Sequence, residues 1–413
     1  MHLDALNQTD QTLLDGFPAV ESQRFRAQQA ELKVVGLFAG IGGIEEGFRQ
    51  AGHKSVLLCE NDSAAQHVLK QRFKKTPVCD DVRELQSLPA CDVVTAGFPC
   101  QDLSPAGRCA GIDGDESGLV SSVFRLLRDR RKSPTWLLLE NVPFMLRLNK
   151  GRAIEAIVEQ LENMGWNWAY RTIDTKAFGL PQRRKRVLLL ASKSEDPRPY
   201  LLASDATPRT LVTRANHACG FYWTEGNTGI GWAIDSIPPL KGGSGVGIPS
   251  PPAIWFPKRR LIATPTIGDA ERLQGFSRGW TEAATKTSRG ARLRWKLVGN
   301  AVSVPVAKWI AERLSKSLNP YDPNGDTRMV SGQSWPDAAW GRPTGRFASD
   351  ATSWPVQLEH QHLASFLSRS VNSLSLRATN GFYTRLQASG LRHEAEFALD
   401  LAYHIDRMKD ANR

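Results

Sequence analysis

Residues 32–43 read Leu-Lys-Val-Val-Gly-Leu-Phe-Ala-Gly-Ile-Gly-Gly, and this apolar, glycine-ended stretch runs into a helical pattern over residues 44–50. A second apolar stretch at residues 55–59 ends in Glu60. Glycines let a ligand approach the backbone closely, and a carboxylate after the second strand can accept hydrogen bonds from ribose hydroxyls. The order strand, glycine-rich turn, helix, strand and acid therefore predicts a unit that binds an adenosine-containing cofactor, with an ordinary tight turn as the alternative.

The same alternation of strand and helix patterns continues through the first half of the chain. Further strands are predicted at residues 92–96, 136–139 and 186–191, and helices at residues 64–70, 118–131 and 153–164. Apolar strands separated by helical segments are typical of parallel sheets with helices on both faces. The chain is therefore predicted to be an α/β protein with a doubly wound, mostly parallel sheet.

Composition divides the rest of the chain. Residues 196–258 are rich in Pro and Gly and have poor helical periodicity, whereas helical patterns return at residues 304–314 and 391–408. For the extension that ends the chain, completing the small domain, dimerising and binding a partner are all open roles. The regions that we expect are an N-terminal tail (1–31), a main α/β domain (32–195, completed by 295–316), a small loop-rich domain (196–294) and a mainly helical C-terminal extension (319–413).

The 413-residue chain carries a formal net charge of +11, which favours a polyanionic partner such as nucleic acid over a merely basic soluble protein. No apolar run approaches the ~20 residues that span a bilayer, and the first residues lack the apolar core of a signal peptide. We therefore expect an intracellular protein without a membrane segment. The six cysteines form no Cys-x-x-Cys pair and no Cys/His zinc-finger spacing, so free thiols and no metal site are expected.

One cysteine occupies a position where chemistry is expected. Gly97, Phe98 and Pro99 end the strand at residues 92–96 and hold Cys100 at its carboxyl end, which is the edge of an open α/β sheet where ligands bind. A thiol there can act as a nucleophile if its pKa is lowered. Taken alone, a single cysteine is more often a small buried hydrophobic residue, so the assignment depends on the residues around it.

Six segments in a fixed order include this cysteine, and they are residues 38–43, 97–101, 140–142, 182–186, 272–276 and 299–303. In this order and at this spacing the chain resembles the DNA (cytosine-5) methyltransferases of the bacterial and phage type, over about Val34 to Ile310. The resemblance implies the fold of S-adenosylmethionine-dependent methyltransferases, S-adenosylmethionine as the cofactor and duplex DNA as the partner. It also implies that the main domain is catalytic and cofactor-binding, and that the small domain recognises the target sequence.

The resemblance also implies the reaction and its residues. A methyl group would pass to carbon 5 of a cytosine that is flipped out of a specific duplex sequence, after Cys100 attacks carbon 6. Glu140 matches the acid that hydrogen-bonds or protonates ring nitrogen 3. Gln182, Arg184 and Arg186 match the motif that helps to hold the base and the nucleophile loop. The base that removes the carbon 5 proton is not identified by the sequence.

Cofactor positions follow from the same motifs. Glu60 would take the ribose hydroxyls, Asp81 would receive the adenine amino group, and Val82 would contact the ring. The chain departs from the family pattern at Gly36, where many members have an acid, and at Asn61, where some have an aromatic residue on the adenine; both departures would weaken cofactor binding. Residues 266–271 fit the ninth motif poorly. The matched cofactor positions are Phe38, Ile41, Gly43, Glu60, Asp81, Val82, Gly97, Pro99, Leu119 and Asn300.

Reading of the DNA sequence would fall to about residues 195–235. A tRNA cytosine-5 methyltransferase on the same scaffold and a non-catalytic DNA-binding regulator are the alternative functions. For the leading interpretation we expect a monomer in the cytoplasm, associated with the nucleoid of a prokaryotic cell, either solitary or beside a cognate restriction endonuclease. The residues that we single out for base or phosphate contacts are Arg198, Arg209, Arg214, Asn216 and His217.

Overall fold

The computed structural model describes residues 31–98, 118–128, 133–209, 213–214, 216–242, 250–286, 290–330, 332–368 and 371–411. Two predicted site residues, Pro99 and Cys100, lie outside these ranges, as does the predicted N-terminal tail except for its last residue.

The strands belong to two separate sheets. In chain order they are β1 (Lys33–Leu37), β2 (Lys54–Cys59), β3 (Val78–Cys79), β4 (Val93–Ala96), β5 (Trp136–Asn141), β6 (Asn167–Asp174), β7 (Lys185–Ser192), β8 (Cys219–Phe221), β9 (Ala233–Ile234), β10 (Ala253–Phe256), β11 (Leu261–Thr264), β12 (Thr327–Arg328), β13 (Ala338–Arg342), β14 (Gly345–Ala348) and β15 (Asn372–Ser373).

The α-helices are α1 (Gly43–Gln50), α2 (Ser63–Arg72), α3 (Leu119–Leu127), α4 (Arg152–Asn163), α5 (Arg198–Leu201), α6 (Ile267–Leu273), α7 (Gly290–Asn300), α8 (Val304–Leu314), α9 (Leu363–Phe366), α10 (Leu376–Ala388) and α11 (Ala395–Asp410). Short 3-10 segments occupy Pro143–Leu146, Leu148–Gly151, Thr175–Phe178, Pro257–Arg259 and Glu282–Lys286. Within the described ranges, no helix combines the length and apolar character that crossing a membrane requires.

The large sheet has the strand order β12-β14-β13-β6-β7-β5-β4-β1-β2-β3. From β5 through β4, β1 and β2 to β3 the strands are parallel, and from β5 through β7 to β12 each neighbouring pair is antiparallel. Strands β4 and β5 are buried along their whole length, as expected for parallel strands between layers of helices. The predicted α/β fold is confirmed, with a sheet that is mixed.

In the antiparallel half of the sheet, β7 was predicted at residues 186–191, whereas β6, β12, β13 and β14 gave no clear signal in the sequence. Strand β6 includes Arg171, which is fully buried and pairs with Asp205 at 2.6 Å. The strand is therefore buried although its sequence is not a continuous apolar run. The prediction of a mainly helical extension holds for α9, α10 and α11. The earlier part of the extension instead adds β12, β13 and β14 to the large sheet, because β13 pairs with β6.

Helix α1 packs unusually close to α8. Gly42, with φ of 81°, turns the chain into α1, and a Cβ built on Gly47 would lie 2.5 Å from Ala307 Cβ and 2.6 Å from the Lys308 nitrogen. A Cβ on Gly43 would lie 2.5 Å from the carbonyl oxygen of Val302. Only glycine allows this close approach. The glycine-rich turn therefore also holds residues 299–303 against the start of α1.

The second sheet has the order β15-β11-β10-β8-β9 and is completed by the C-terminal extension. Strand β15 pairs with β11, and Asp400 of α11 accepts hydrogen bonds from Trp255 Nε1 at 2.9 Å and from Arg260 Nε at 2.8 Å. Residues from the sheet and from α10 and α11 share one buried apolar cluster, which includes Phe221, Trp255, Phe382, Leu386, Phe397 and Leu401. The small domain is therefore built from two distant segments of the chain.

This composite core predicts a large cost for truncating Phe382, whose side chain is 0% exposed. We expect Phe382→Ala to lower the free energy of unfolding by about 3–5 kcal/mol, since it leaves a cavity in the cluster. The control Leu399→Ala, at a position that is 65% exposed on α11, should change it by less than about 0.5 kcal/mol. Urea unfolding followed by tryptophan fluorescence measures both, and equal losses would contradict a core shared with the extension.

Candidate active site

A cavity of about 290 Å³ lies at the carboxyl ends of the parallel strands. It extends from the glycine-rich turn after β1, past Glu60 after β2 and Gly97 after β4, to Glu140 near the end of β5. Parallel strands place these ends at one edge of the sheet, which is where an open α/β sheet binds its ligands. The predicted cofactor positions that line the cavity are Phe38, Ile41, Gly43, Glu60, Gly97, Leu119 and Asn300.

Two predicted cofactor residues do not belong to that lining. Val82 is buried in the core next to β4 and α3. Asp81 is held by Arg83, whose Nε lies 3.0 Å from both carboxylate oxygens, and this hydrogen bonding lowers the pKa of Asp81. Asp81 and Val82 are thus not among the residues that line the cavity, and Pro99 lies outside the described residues.

Glu60 is bonded to the backbone around it. Its Oε2 accepts a hydrogen bond from the Gly40 nitrogen at 2.7 Å, and its Oε1 accepts one from the Asp62 nitrogen at 2.8 Å. Burial raises the pKa of this carboxyl. Each carboxylate oxygen has a further lone pair, so Glu60 stabilises the glycine-rich turn and can still accept from a ligand hydroxyl.

The missing acid at Gly36 is replaced in space by Glu45 of α1. A Cβ added at Gly36 would overlap Glu45 Oε1, which accepts a hydrogen bond from Thr95 Oγ1 at 3.1 Å. The other oxygen, Oε2, is buried and has no hydrogen-bond partner among the described residues. Burial raises the pKa of Glu45 to about 7, and the side chain lines the cavity.

Glu140 forms a buried ion pair with Arg186. The Nε of Arg186, on β7, lies 2.9 Å from Glu140 Oε1, because β5 and β7 are neighbours in the sheet. Burial raises the pKa of Glu140, and the positive charges of Arg186 and Arg184 oppose that rise. The carboxyl is therefore held in place by a cation. It also keeps its proton to a higher pH than a solvent-exposed glutamate does.

Glu140 also lies beside the start of the segment that contains Cys100. A Cβ built on Gly97 would lie 3.6 Å from Glu140 Oε2. The next residue, Asn141, donates from Nδ2 to the carbonyl oxygen of Phe98 at 3.1 Å. These contacts fix the chain up to Phe98, and Cys100 itself is outside the described residues.

Arg184 is deeply buried, 1% exposed, and its guanidinium binds backbone carbonyls from two other parts of the chain. Its Nη2 donates to Ala301 at 2.7 Å and to Gly299 at 3.1 Å, and its Nη1 lies 3.3 Å from the oxygen of Leu240. Burial lowers the pKa of Arg184. The structure thus places Arg184 as a tie between β7, the small-domain segment and residues 299–301.

Gln182 makes the same kind of connection. Its Nε2 donates to the Leu273 carbonyl at 2.8 Å, and its Oε1 accepts from the Leu240 nitrogen at 3.2 Å. Gln274, which follows α6, donates to the carbonyl of Val298 at 3.0 Å. Gln182 and Arg184 are thus arranged to hold the motif segments together, and Arg186 is the member of this motif that reaches Glu140.

The segment at residues 266–271, which fits the ninth motif poorly, forms the start of a regular helix. Thr266 caps α6 by accepting from the Asp269 nitrogen at 3.1 Å. Glu271 is fully buried and accepts from the Gly279 and Thr281 nitrogens at 2.6 and 2.8 Å. The departure from the motif therefore leaves the local fold intact.

The predicted DNA-reading residues separate into two groups. Arg198 is buried, pairs with Asp196 at 2.9 Å and stacks over Trp340, so that prediction was wrong: it belongs to the packing of the large domain. Arg214 pairs with Glu394, Asn216 is exposed, and Arg209 lies 3.5 Å from the oxygen of Leu358. His217 faces Asp235, with 3.8 Å between its Nδ1 and the carboxylate Oδ2.

Sequence reasoning missed Glu45 and Asn141 at this site. Glu45 follows the glycine-rich turn at an ordinary helical position, so only its proximity to Gly36 marks it. Asn141 could have been found, because it directly follows Glu140 at the end of a strand that neighbours β4.

Known proteins of the same type are similar to this chain in sequence and fold. The family model described as C-5 cytosine-specific DNA methylase matches residues 32–217. The Type II methyltransferase M2.BsuMI of Bacillus subtilis is 45% identical over 91% of this chain and 99% of that protein, and the Type II methyltransferase M.MspI of Moraxella sp is 27% identical over 73% and 75%. The crystal structure of a Dnmt2 methyltransferase from S. pombe, 17% identical, shares the fold with a TM-score of 0.50 over 69% of this chain and 98% of its own. The chain belongs to the C-5 cytosine-specific DNA methylase family and is a DNA cytosine-5 methyltransferase.

Proposed function

We propose that the enzyme methylates carbon 5 of a flipped-out cytosine in a specific duplex DNA sequence, with Cys100 as the nucleophile that attacks carbon 6 and Glu140 as the acid at ring nitrogen 3. The observation that carries the proposal is the shared edge of β4 and β5. There Gly97, three residues before Cys100, adjoins Glu140, and both line the same cavity as the glycine-rich turn. A base held at this edge meets the nucleophile, the acid and the cofactor together.

S-adenosylmethionine fits this cavity by the chemistry of its walls. Glu60 offers carboxylate lone pairs for ribose hydroxyls, and the buried, unpartnered Oε2 of Glu45 suits the ammonium group of the methionine part. When bound, the cofactor supplies an electrophilic methyl group. The assignment of Glu45 to the ammonium explains how a chain with Gly36 in place of an acid retains the contact.

Glu140 and Arg186 have different roles at the target base. Burial favours the protonated form of Glu140, which can donate to ring nitrogen 3 as negative charge develops there. The Arg186 guanidinium, 2.9 Å away, orients that carboxyl and neutralises its anion after proton transfer. Asn141 anchors the carbonyl of Phe98 and so sets where the Cys100 segment begins.

Sequence recognition falls to the composite small domain. It comprises β8 to β11 together with β15, α10 and α11, so the extension contributes to the same unit as residues 195–235. The positive net charge supports phosphate contacts whose strength falls with salt. We further propose a monomer that acts in the cytoplasm on nucleoid DNA, either alone or beside a cognate restriction endonuclease.

Replacing Glu45 tests its role as the cation site for the cofactor. We expect Glu45→Gln to weaken S-adenosylmethionine binding by about 10- to 100-fold, since a charged hydrogen bond is lost. Wild-type affinity should fall as the pH drops through about 7, where Glu45 takes up a proton, and the variant should lack that dependence. Calorimetric titration at several pH values measures both. Glu46→Gln, which alters the neighbouring Arg49 pair, is the control; equal effects of the two variants would contradict the assignment.

The pH dependence of turnover tests the acid role of Glu140. Because the protonated carboxyl is the active form and burial raises its pKa, activity should be present at low pH and fall as the pH rises through that pKa. Arg186→Gln removes an opposing charge, so its alkaline limb should shift to higher pH. Glu140→Gln should lose about 100-fold or more in kcat, whereas Glu159→Gln on α4 should not. An unshifted limb in Arg186→Gln would count against this role.

Covalent trapping tests the nucleophile. A duplex that carries 5-fluorocytosine at the methylated position should form a denaturation-resistant adduct with the enzyme in the presence of S-adenosylmethionine, because the fluorine cannot be removed as a proton. Cys100→Ala should abolish the adduct, and Cys91→Ala should retain it. Transfer of tritiated methyl groups to duplex DNA but not to tRNA should accompany it. Transfer only to tRNA, or no transfer to either, would support the alternative functions instead.

A further inference from the structure

Four side chains from two distant segments converge at the base of the small domain. His217 and Asp235 come from the segment around β8 and β9, and His360 and His362 precede α9 in the extension. Three imidazole nitrogens face a single oxygen, Asp235 Oδ2: His362 Nδ1 at 2.5 Å, His360 Nε2 at 2.9 Å and His217 Nδ1 at 3.8 Å. None of the four residues belongs to the cofactor cavity or to the catalytic group around Glu140, although His217 is one of the residues predicted to contact DNA.

Asp235 is held in an uncommon backbone conformation with its carboxylate fully enclosed. Its φ is +47°, a left-handed value that a non-glycine residue adopts at some energetic cost, and it is 1% exposed. Oδ1 accepts a hydrogen bond from the Leu363 nitrogen at 2.9 Å, so the carboxylate plane is fixed. Oδ2 is thereby directed at the three imidazoles.

Hydrogen bonds alone do not account for this arrangement. One carboxylate oxygen has two lone pairs, and His360 and His362 already lie within hydrogen-bonding distance of Oδ2. The third imidazole, His217, is too far from Oδ2 for a hydrogen bond, yet its ring lies nearly parallel to that of His362, at 16° and 6.0 Å between centroids. Ligand atoms of His217, Asp235 and His362 all lie within 4.8 Å of one another.

We propose that His217, Asp235 and His362 bind a zinc ion that joins the recognition segment to the C-terminal extension. Zinc bonds to imidazole nitrogen and carboxylate oxygen are about 2.0–2.2 Å long, which places the ligand atoms of a tetrahedral site roughly 3.3 Å apart. The separations of 2.5 Å (His362 Nδ1) and 3.8 Å (His217 Nδ1) from Asp235 Oδ2 lie on either side of that value. Imidazole and carboxylate ligands together suit zinc among the common divalent ions.

His360 completes the surroundings of this site. It is buried and hydrogen-bonds the liganding oxygen of Asp235, which is the role that outer partners of zinc-bound carboxylates commonly have. The side chain of His362 is 64% exposed, so solvent can enter and water can occupy the fourth position. The site is therefore accessible to metal in the folded protein.

The position of the site gives it a structural purpose. Ile237, two residues after Asp235, pairs with Gln182, and its carbonyl accepts from the Arg183 nitrogen at 2.9 Å. A metal at Asp235 would therefore fix the extension against a segment that is itself tied to the motif next to Glu140. Because the ion would bind only when both segments are folded together, it would stabilise the composite small domain.

The test uses the full chain without a polyhistidine tag, stripped with a chelator and dialysed against Zn2+ alone. Elemental analysis should find about one zinc ion per chain in the wild type and in His67→Ala, whose histidine is exposed on α2. His217→Ala and His362→Ala should each lose the bound ion. Zn2+ should raise the melting temperature of the wild type by at least about 3 °C and leave these two variants unchanged.

His362→Ala removes an exposed side chain, so circular dichroism should show an intact fold and keep the comparison valid. Co2+ supplies a second readout: the wild type should give the strong visible absorption of a four- or five-coordinate site, and His362→Ala should not. Absent zinc in the wild type, or equal zinc in all four proteins, would overturn the proposal. Neither readout depends on methyl transfer, so a failure here is distinguishable from a failure of the proposed function.

Discussion

The assembled site depends on the hydrogen bonds between the buried guanidinium of Arg184 and backbone carbonyls of other segments. The guanidinium has no carboxylate in hydrogen-bonding contact among the described residues and is instead bound by carbonyls of Leu240, Gly299 and Ala301. A cation away from water is tolerated only when such dipoles surround it, so the three segments must come together for any of them to be stable. The same requirement fixes where β7 begins and hence where Arg186 meets Glu140.

The site also illustrates how one strand arrangement serves several chemical needs. Parallel pairing of β1, β4 and β5 brings their carboxyl ends to one edge, and the antiparallel β7 then delivers Arg186 to Glu140 from the opposite direction. The acid absent at Gly36 reappears from α1 as Glu45, because the missing Cβ leaves room for that carboxyl. A carboxylate can therefore occupy the same place in the site although it comes from a different position in the sequence.

This distinction explains how much could be predicted. The parallel half of the sheet was readable because strands buried on both faces appear as apolar runs, and the catalytic motifs were readable because they occur in a fixed order. Strands β6, β13 and β14 were not predicted. In β6, Arg171 interrupts the apolar pattern, and its charge is paired with Asp205 from a different segment of the chain. The positions of Glu45 and of the cluster around Asp235 depend on contacts between segments far apart in the chain. A local sequence pattern does not predict such contacts.

The composite construction of the small domain has a consequence for synthesis on the ribosome. Cys219, Phe221 and Trp255 are translated well before Phe382, Phe397 and Leu401, with which they form one buried cluster. The edge of the nascent sheet at β11 therefore stays unpaired until β15 is synthesised. The apolar face of the sheet is covered only when α10 and α11 follow. The motif segments of the large domain are synthesised earlier. The small domain, which we propose recognises the DNA sequence, is therefore the last to complete its core.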